Sequence, residues 1–450
     1  MGYNGSGKST IVTVVYAAVK SAKSLRRAII PSRLRSFSRD KIAHESAELL
    51  DVKFSELADL YQEVSNGPEV RSADHYERVY REIIHIVATS LLSDYCDAFA
   101  AEIAAGFGSS FEDLAARNNA GKRLPLKISV SSENPAWTAT IWLRGKEVQS
   151  QVELKDPLNY DGNVPPSDLA FLFHRRRRDK DRVDRFRMAL RILSEDLREQ
   201  IFSSIPSGTH FLPAARAGLL QSHRLVAATM VQQSPLIGLG GDIALPSLSG
   251  VVADFVSEIL LRRKAGSDTF APLAKRLESI LGGEVERVQI KSEYPEIEFA
   301  DATGKYPLHR TSSMVSELAT LVLLLKSHVS PGELLIVEEP ESHLHPRAQA
   351  QLAKILFSAS RSGLYVMLTT HSDYFLSELN IALLEEFNSG ATQGSTLAYW
   401  ADRTDEGNAR LSALEIDEAD GISQNSFVEV ATEQYDHQYE LQESAIRKSE

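Results

Sequence analysis

Two short apolar runs in the last third of the chain constrain its fold more than any other feature. Leu334-Leu335-Ile336-Val337 and Leu364-Tyr365-Val366-Met367-Leu368-Thr369 are too short for helices and lack polar alternation, so each predicts a strand buried on both faces. Pro346 to Ser360 reads as a helix with proline at its first position, and Ser377 to Phe387 as another. Strand, helix, strand, helix in that order predicts a parallel sheet with crossover helices, hence an α/β fold.

Each run ends in chemistry. The first stops at Glu338-Glu339-Pro340-Glu341. A buried strand ending in two acids calls for a cation or a reacting water, the alternative being a solvated strand end. Glu338 is placed to hold Mg²⁺ or one of its waters. Glu339, on the other face of the strand, is the candidate for polarising an attacking water. The second run stops at Thr370-His371-Ser372-Asp373. Parallel neighbours deliver their C-terminal ends to one edge, where open α/β sheets bind ligands, so His371 is expected to reach a γ-phosphate or the attacking water, unless it is a structural histidine.

The complementary loop lies at the other end of the chain. Gly2-Tyr3-Asn4-Gly5-Ser6-Gly7-Lys8-Ser9 fits GxxxxGK[ST], in which backbone N–H groups wrap phosphates and the following helix aims its positive end at them. Gly2, Asn4, Gly5, Ser6 and Gly7 form the cradle in this reading. Lys8 pairs with the outer phosphates, and the Ser9 hydroxyl, with Thr10 beside it, ligates Mg²⁺. A flexible loop is the alternative. The stretch Ser9 to Val19 fits strand or helix by propensity, and the loop before it decides for helix.

Together these segments resemble the ABC ATPase superfamily, in the soluble branch that includes the RecF and SMC repair ATPases and the overcoming-lysogenization-defect (OLD) ATPases. Leu334 to Pro346 is similar to that branch's Walker B and D-loop, and Thr369 to Phe375 to its switch-histidine segment. Transporter subunits instead tend to carry an aspartate-glutamate pair. The resemblance implies a P-loop NTPase fold with an ABC-type ATPase head, ATP and Mg²⁺ as cofactors, and ATP hydrolysis. It implies a head-to-tail homodimer, each site completed by a signature serine loop from the second subunit. The matching place is Thr311 to Glu317, with Ser312 and Ser313 as phosphate contacts. No glycine follows these serines, and a plain helix cap is the alternative. Phe211 to Gly218 resembles a segment of OLD-like ATPases; its Arg216 supports the phosphate site or a subunit contact, or is an ordinary surface arginine. The implied role is DNA maintenance or phage defence, with DNA or a separately encoded nuclease as partner. The rival class is a nucleotide-gated scaffold with little turnover.

Two departures from the family pattern shape further expectations. Met1 sits directly before Gly2, where a strand normally precedes the loop, so the chain is expected to be truncated relative to the functional protein. The stretch after Trp400 is too short for the Toprim nuclease domain of OLD nucleases, and its acids Glu415, Asp417, Glu418 and Asp420 read as an exposed loop.

Composition narrows the rest. A net charge of -12 and a pI near 5.6 give no global positive field for nucleic acid or acidic lipid. The dense basic stretch from His174 to Lys180, continued by Arg182, Arg185 and Arg187, is either a local DNA patch or a solvated helix face paired with Asp179, Asp181 and Asp184. One cysteine, Cys96, forms no internal disulfide and excludes a zinc hook, and His343 with His345 lacks further zinc ligands. No apolar run reaches about 18 residues, so a cytoplasmic location is expected. The predicted organisation is an ATPase head from 1–30 and 300–420, a mainly helical insertion over 31–299 with a small β element of two strands (126–130 and 138–143) and a loop-rich return beyond 205, and a helical tail over 421–450.

Overall fold

The computed structural model describes residues 8–26, 41–65, 70–109, 114, 126–144, 147–154, 165–173, 180–221, 248–261, 267–288, 296–390, 395–403, 409–423 and 425–447. The fold is mixed α/β, and the chain divides into two compact units. One comprises 13–209 and 249–251, the other 1–12, 210–248 and 252–450.

The first unit is mainly helical. Helices α1 (Lys8–Arg26, from residue 13 on), α2 (Lys41–Ser65), α3 (Val70–Phe107), α4 (Pro166–Phe173) and α5 (Lys180–Ile201) accompany an antiparallel meander of β1 (Lys127–Glu133), β2 (Ala136–Arg144) and β3 (Glu147–Leu154). On α3, Val79, Ile83, Val87, Leu91, Tyr95, Phe99 and Ile103 recur every four residues and are all buried, the spacing that places them on one helix face. The span 73–107 is long and apolar enough to cross a membrane by length and composition, but 61% of its most apolar window is buried inside the protein, as in the core helix of a globular unit. On β2, Trp137, Ala139 and Ile141 alternate into that core, and the Trp137 indole N–H donates to the Ile201 carbonyl at 2.9 Å. The expected β insert thus gains β3 as a third strand.

In the second unit β4 (Thr209–Leu212), β8 (Leu334–Glu338) and β9 (Tyr365–Thr369) form one sheet in the order β4-β8-β9. β8 and β9 run parallel, from Leu334 opposite Tyr365 to Glu338 opposite Thr369. All five residues of β8 are buried, as a central strand requires. Helix α8 (Ser313–Ser327) is buried continuously from Val315 to Leu325. Helix α9 (Pro346–Arg361) starts with proline behind a His345 cap, and α10 (Asp373–Ser389) begins four residues earlier than expected because the Ser372 hydroxyl caps it. Helices α6 (Gly250–Leu261, from residue 252 on) and α7 (Ala271–Leu281) pack Phe255, Ile259, Ala274 and Leu277 into the core that holds Leu335 and Val337. An antiparallel sheet of β5 (Glu284–Val288), β6 (Glu296–Asp301) and β7 (Gly304–Pro307) precedes α8.

The two compact units divide near residues 12 and 209. One expectation needs correction. The segment read as loop-rich beyond residue 205 contributes β4 to the sheet of β8 and β9, and four residues are too few to display a period. After residue 395 the chain forms two small antiparallel pairs, β10 (Ala398–Arg403) with β11 (Ala409–Leu414) and β12 (Ile416–Asp417) with β13 (Gly421–Ile422). Helix α11 (Asn425–Arg447) follows, exposed throughout 430–442.

Candidate functional site

β8 delivers Glu338 at its last position. The carboxylate is buried, and its Oε1 has no hydrogen-bond donor among the described residues. Such an oxygen is costly unless a cation or water meets it, so Glu338 fits a divalent-metal ligand. Glu339 is no longer strand: its φ is 43°, in the left-handed region. Strand alternation therefore does not set its direction, which corrects the opposite-face expectation. A non-glycine residue held there is strained, a feature concentrated at functional sites. Its backbone N–H still donates to the Thr369 carbonyl at 2.9 Å, while its own carbonyl accepts from the Ser342 N–H at 3.1 Å. The Glu339 carboxylate, about half exposed, receives the Ser342 hydroxyl at 3.3 Å and lies 3.9 Å from His371 Nε2.

His371 stands two residues past β9. Burial, and then the charge of Lys8, hold its imidazole below the ordinary histidine value despite Glu339 and Glu341, so it is mainly neutral near pH 7. Its backbone N–H donates to Glu341 Oε1 at 2.6 Å, and the Thr370 hydroxyl donates to the same oxygen at 2.9 Å.

Lys8 opens α1. Burial lowers its ammonium below the usual lysine value, and the carboxylates of Glu339 and Glu341 counteract that. Lys8, Glu339, Glu341 and His371 thus share one electrostatic neighbourhood although the lysine is more than 300 positions from the acids. Ser9 and Thr10 follow in the first turn of α1, exposed at the helix's positive end. Gly2, Asn4, Gly5, Ser6 and Gly7 lie outside the described residues, as does His174 to Asp179 of the basic stretch.

Beneath the acids lies Arg216, only 2% exposed and hence no surface arginine. Its Nη1 donates to the Glu338 carbonyl at 3.0 Å and to the Pro213 carbonyl at 3.3 Å. Its Nε donates to the Glu317 carbonyl at 3.2 Å and lies 2.9 Å from the Glu317 carboxylate. Burial pushes the guanidinium down and the Glu317 carboxyl up, and each charge counters the other's desolvation. Of the readings open for Arg216, its burial removes the surface arginine. Glu341 was given no role from the sequence; its signal was a third acid after the expected pair.

Ser312 and Ser313 are exposed at the start of α8. The Ser312 hydroxyl accepts the Val315 N–H at 3.3 Å, so it serves as a helix cap. His345 caps α9 through Nδ1, and no cluster of three metal-ligating residues occurs among the described residues.

Residues 281–377, which span β8, α9, β9 and His371, match a protein-family model described as "AAA domain, putative AbiEii toxin, Type IV TA system". No curated protein matches the chain. Several solved SMC structures align with it at low similarity. An SmcHead bound to the C-winged helix domain of ScpA is 10% identical, covering 74% of this chain and 88% of that one, with a TM-score of 0.35. The SMC head domain from Thermotoga maritima is 11% identical, covering 67% and 79%, with a TM-score of 0.30. An Smc head with an extended coiled coil, bound to the C-terminal domain of ScpA derived from Pyrococcus furiosus, is 10% identical, covering 71% and 83%, with a TM-score of 0.30.

Proposed function

We propose that this chain binds ATP with Mg²⁺ and hydrolyses it to ADP and phosphate. The observation that carries the reading is that Lys8, from the first turn of α1, lies within electrostatic reach of Glu339 and His371, which stand 3.9 Å apart at the ends of two adjacent parallel strands. Ligands of open α/β sheets bind at that edge, and the match over 281–377 supports the same assignment.

In this reading Gly2, Asn4, Gly5, Ser6, Gly7 and Thr10 line the phosphates, and Lys8 pairs with the outer ones. Glu338 and the Ser9 hydroxyl hold Mg²⁺, which when bound supplies neutralisation of phosphate charge. Glu339 accepts the proton of the attacking water, its carboxylate oriented by the Ser342 hydroxyl. Neutral His371 donates to the γ-phosphate or orients that water. Exposed Ser312 and Ser313 serve the site of a second copy, giving a head-to-tail homodimer around two nucleotides.

The finer assignment is an OLD-like ATPase of the cytoplasm acting in DNA maintenance or phage defence, with DNA or a separately encoded nuclease as partner. It rests on the resemblance of Leu334 to Pro346 and Phe211 to Gly218. A second reading, the nucleotide-gated scaffold, is favoured by apolar side chains left in solvent on the C-terminal elements, Leu397 at 75% exposure and Tyr435 at 67%.

Steady-state phosphate release with and without DNA tests these readings, Lys8→Ala being the control. Mg²⁺-dependent release that Lys8→Ala lowers about 10²-fold is expected, rising with DNA if the finer assignment holds. Tight ATP binding with negligible release would support the scaffold, and no ATP binding would sink both.

A further inference from the structure

The ladder between β8 and β9 breaks off in a specific way. Two of its rungs are the Tyr365 N–H to the Glu333 carbonyl at 2.9 Å, at the start, and the Glu339 N–H to the Thr369 carbonyl at 2.9 Å, at the end. A parallel ladder alternates donors between its strands, so the next rung would run from the His371 N–H to the Glu339 carbonyl. The left-handed turn at Glu339 removes that acceptor, because its carbonyl takes the Ser342 N–H instead. The His371 amide would be left without a strand partner. One oxygen of Glu341 fills the gap, accepting from the His371 N–H at 2.6 Å and the Thr370 hydroxyl at 2.9 Å.

We infer that Glu341 is a positioning residue for the switch histidine: its carboxylate replaces the missing rung, fixes the Thr370-His371 backbone, and so keeps the His371 imidazole 3.9 Å from Glu339. This deepens, and rests on, the ATPase reading. The structural logic is that Glu339 can leave the strand, to place its own carboxylate, only if another group takes over its lost backbone role. Glu341 sits two residues further along the same turn and supplies that group. The Leu344 N–H donates to the Glu341 carbonyl at 3.0 Å, which closes the turn that holds the side chain in place.

The function needed from Glu341 is acceptance of two hydrogen bonds, which an amide oxygen also provides. Glu341→Gln therefore retains the device and Glu341→Ala removes it. Amide hydrogen exchange at His371 should speed up about tenfold or more in Glu341→Ala and stay within about threefold of the parent in Glu341→Gln. In phosphate release, kcat should fall about tenfold in Glu341→Ala, with the KM for ATP moving less than about threefold, and Glu341→Gln should rescue it to within about threefold. Thr370→Val, which removes the hydroxyl donor alone, should leave the His371 amide protected.

Equal His371 exchange in Glu341→Ala and the parent would overturn the inference. So would a parent-like kcat in Glu341→Ala despite a deprotected amide, or a Glu341→Gln as slow as Glu341→Ala with its amide still protected, since charge alone would then be at work. If the parent itself releases no more phosphate than Lys8→Ala, the ATPase reading falls, and exchange at His371 still decides whether Glu341 holds that segment.

Discussion

His371 and Glu339 face each other across the ends of neighbouring strands, Nε2 to Oε1 at 3.9 Å. At that separation a water between them can contact both groups, as the proposed hydrolysis needs. Glu339→Gln keeps the shape and removes the base. It is expected to lower kcat about 10²–10³-fold while retaining ATP affinity, and light scattering with ATP should report a doubled mass. A monomer at saturating ATP would count against the paired-head arrangement.

Glu338 presents a buried oxygen without a donor among the described residues. If it holds Mg²⁺, Glu338→Ala should raise the Mg²⁺ concentration for half-maximal phosphate release about tenfold or more, and chelation should abolish release in the parent. An unchanged Mg²⁺ dependence would assign that oxygen elsewhere.

Arg216 and Glu317 form a buried pair that also grips the Glu338 carbonyl. Arg216→Met strands a carboxylate in the interior, at a cost of about 3–5 kcal/mol. The double change Arg216→Met with Glu317→Met should recover much of it, because both charges are gone. Urea unfolding of the single and double variants measures the difference. Equal losses in both would mean that the guanidinium's backbone contacts dominate.

His210 gives a pH signature of stability. Its ring nitrogens lie 2.7 Å from Glu258 and 3.0 Å from Glu333, and the side chain is fully buried. Burial disfavours the charged ring, but the hydrogen bonds and charges of the two carboxylates outweigh it, so the value is raised. A raised folded value means a contribution fully present below the unfolded value of about 6.5, and lost as pH rises through the folded one. The urea midpoint of the parent minus that of His210→Gln should therefore shrink from about pH 6 toward pH 9. A constant difference would contradict a charged His210.

The strands Leu334–Glu338 and Tyr365–Thr369, and the helix opening at Pro346, were readable because each is specified by adjacent residues: an unbroken apolar run, a proline at a helix start. The acids and the histidine at the strand ends were readable for the same reason, since parallel neighbours must present one set of ends together. β4 was not, because four residues carry no period and become a strand only by joining β8.

By itself the sequence determined which residues could carry charge to the sheet edge and which apolar runs form strands. Burial on both faces holds for Leu334–Glu338 and not for the second strand, where Tyr365 is exposed and Val366 to Leu368 are half-buried. Only the tertiary structure decided how those groups are held. Arg216 reaches the Glu338 carbonyl across 122 positions, and Glu341 receives the His371 amide across 30. Whether a charged group is satisfied depends on what folding brings within about 3 Å of it, and distance along the chain says nothing about that.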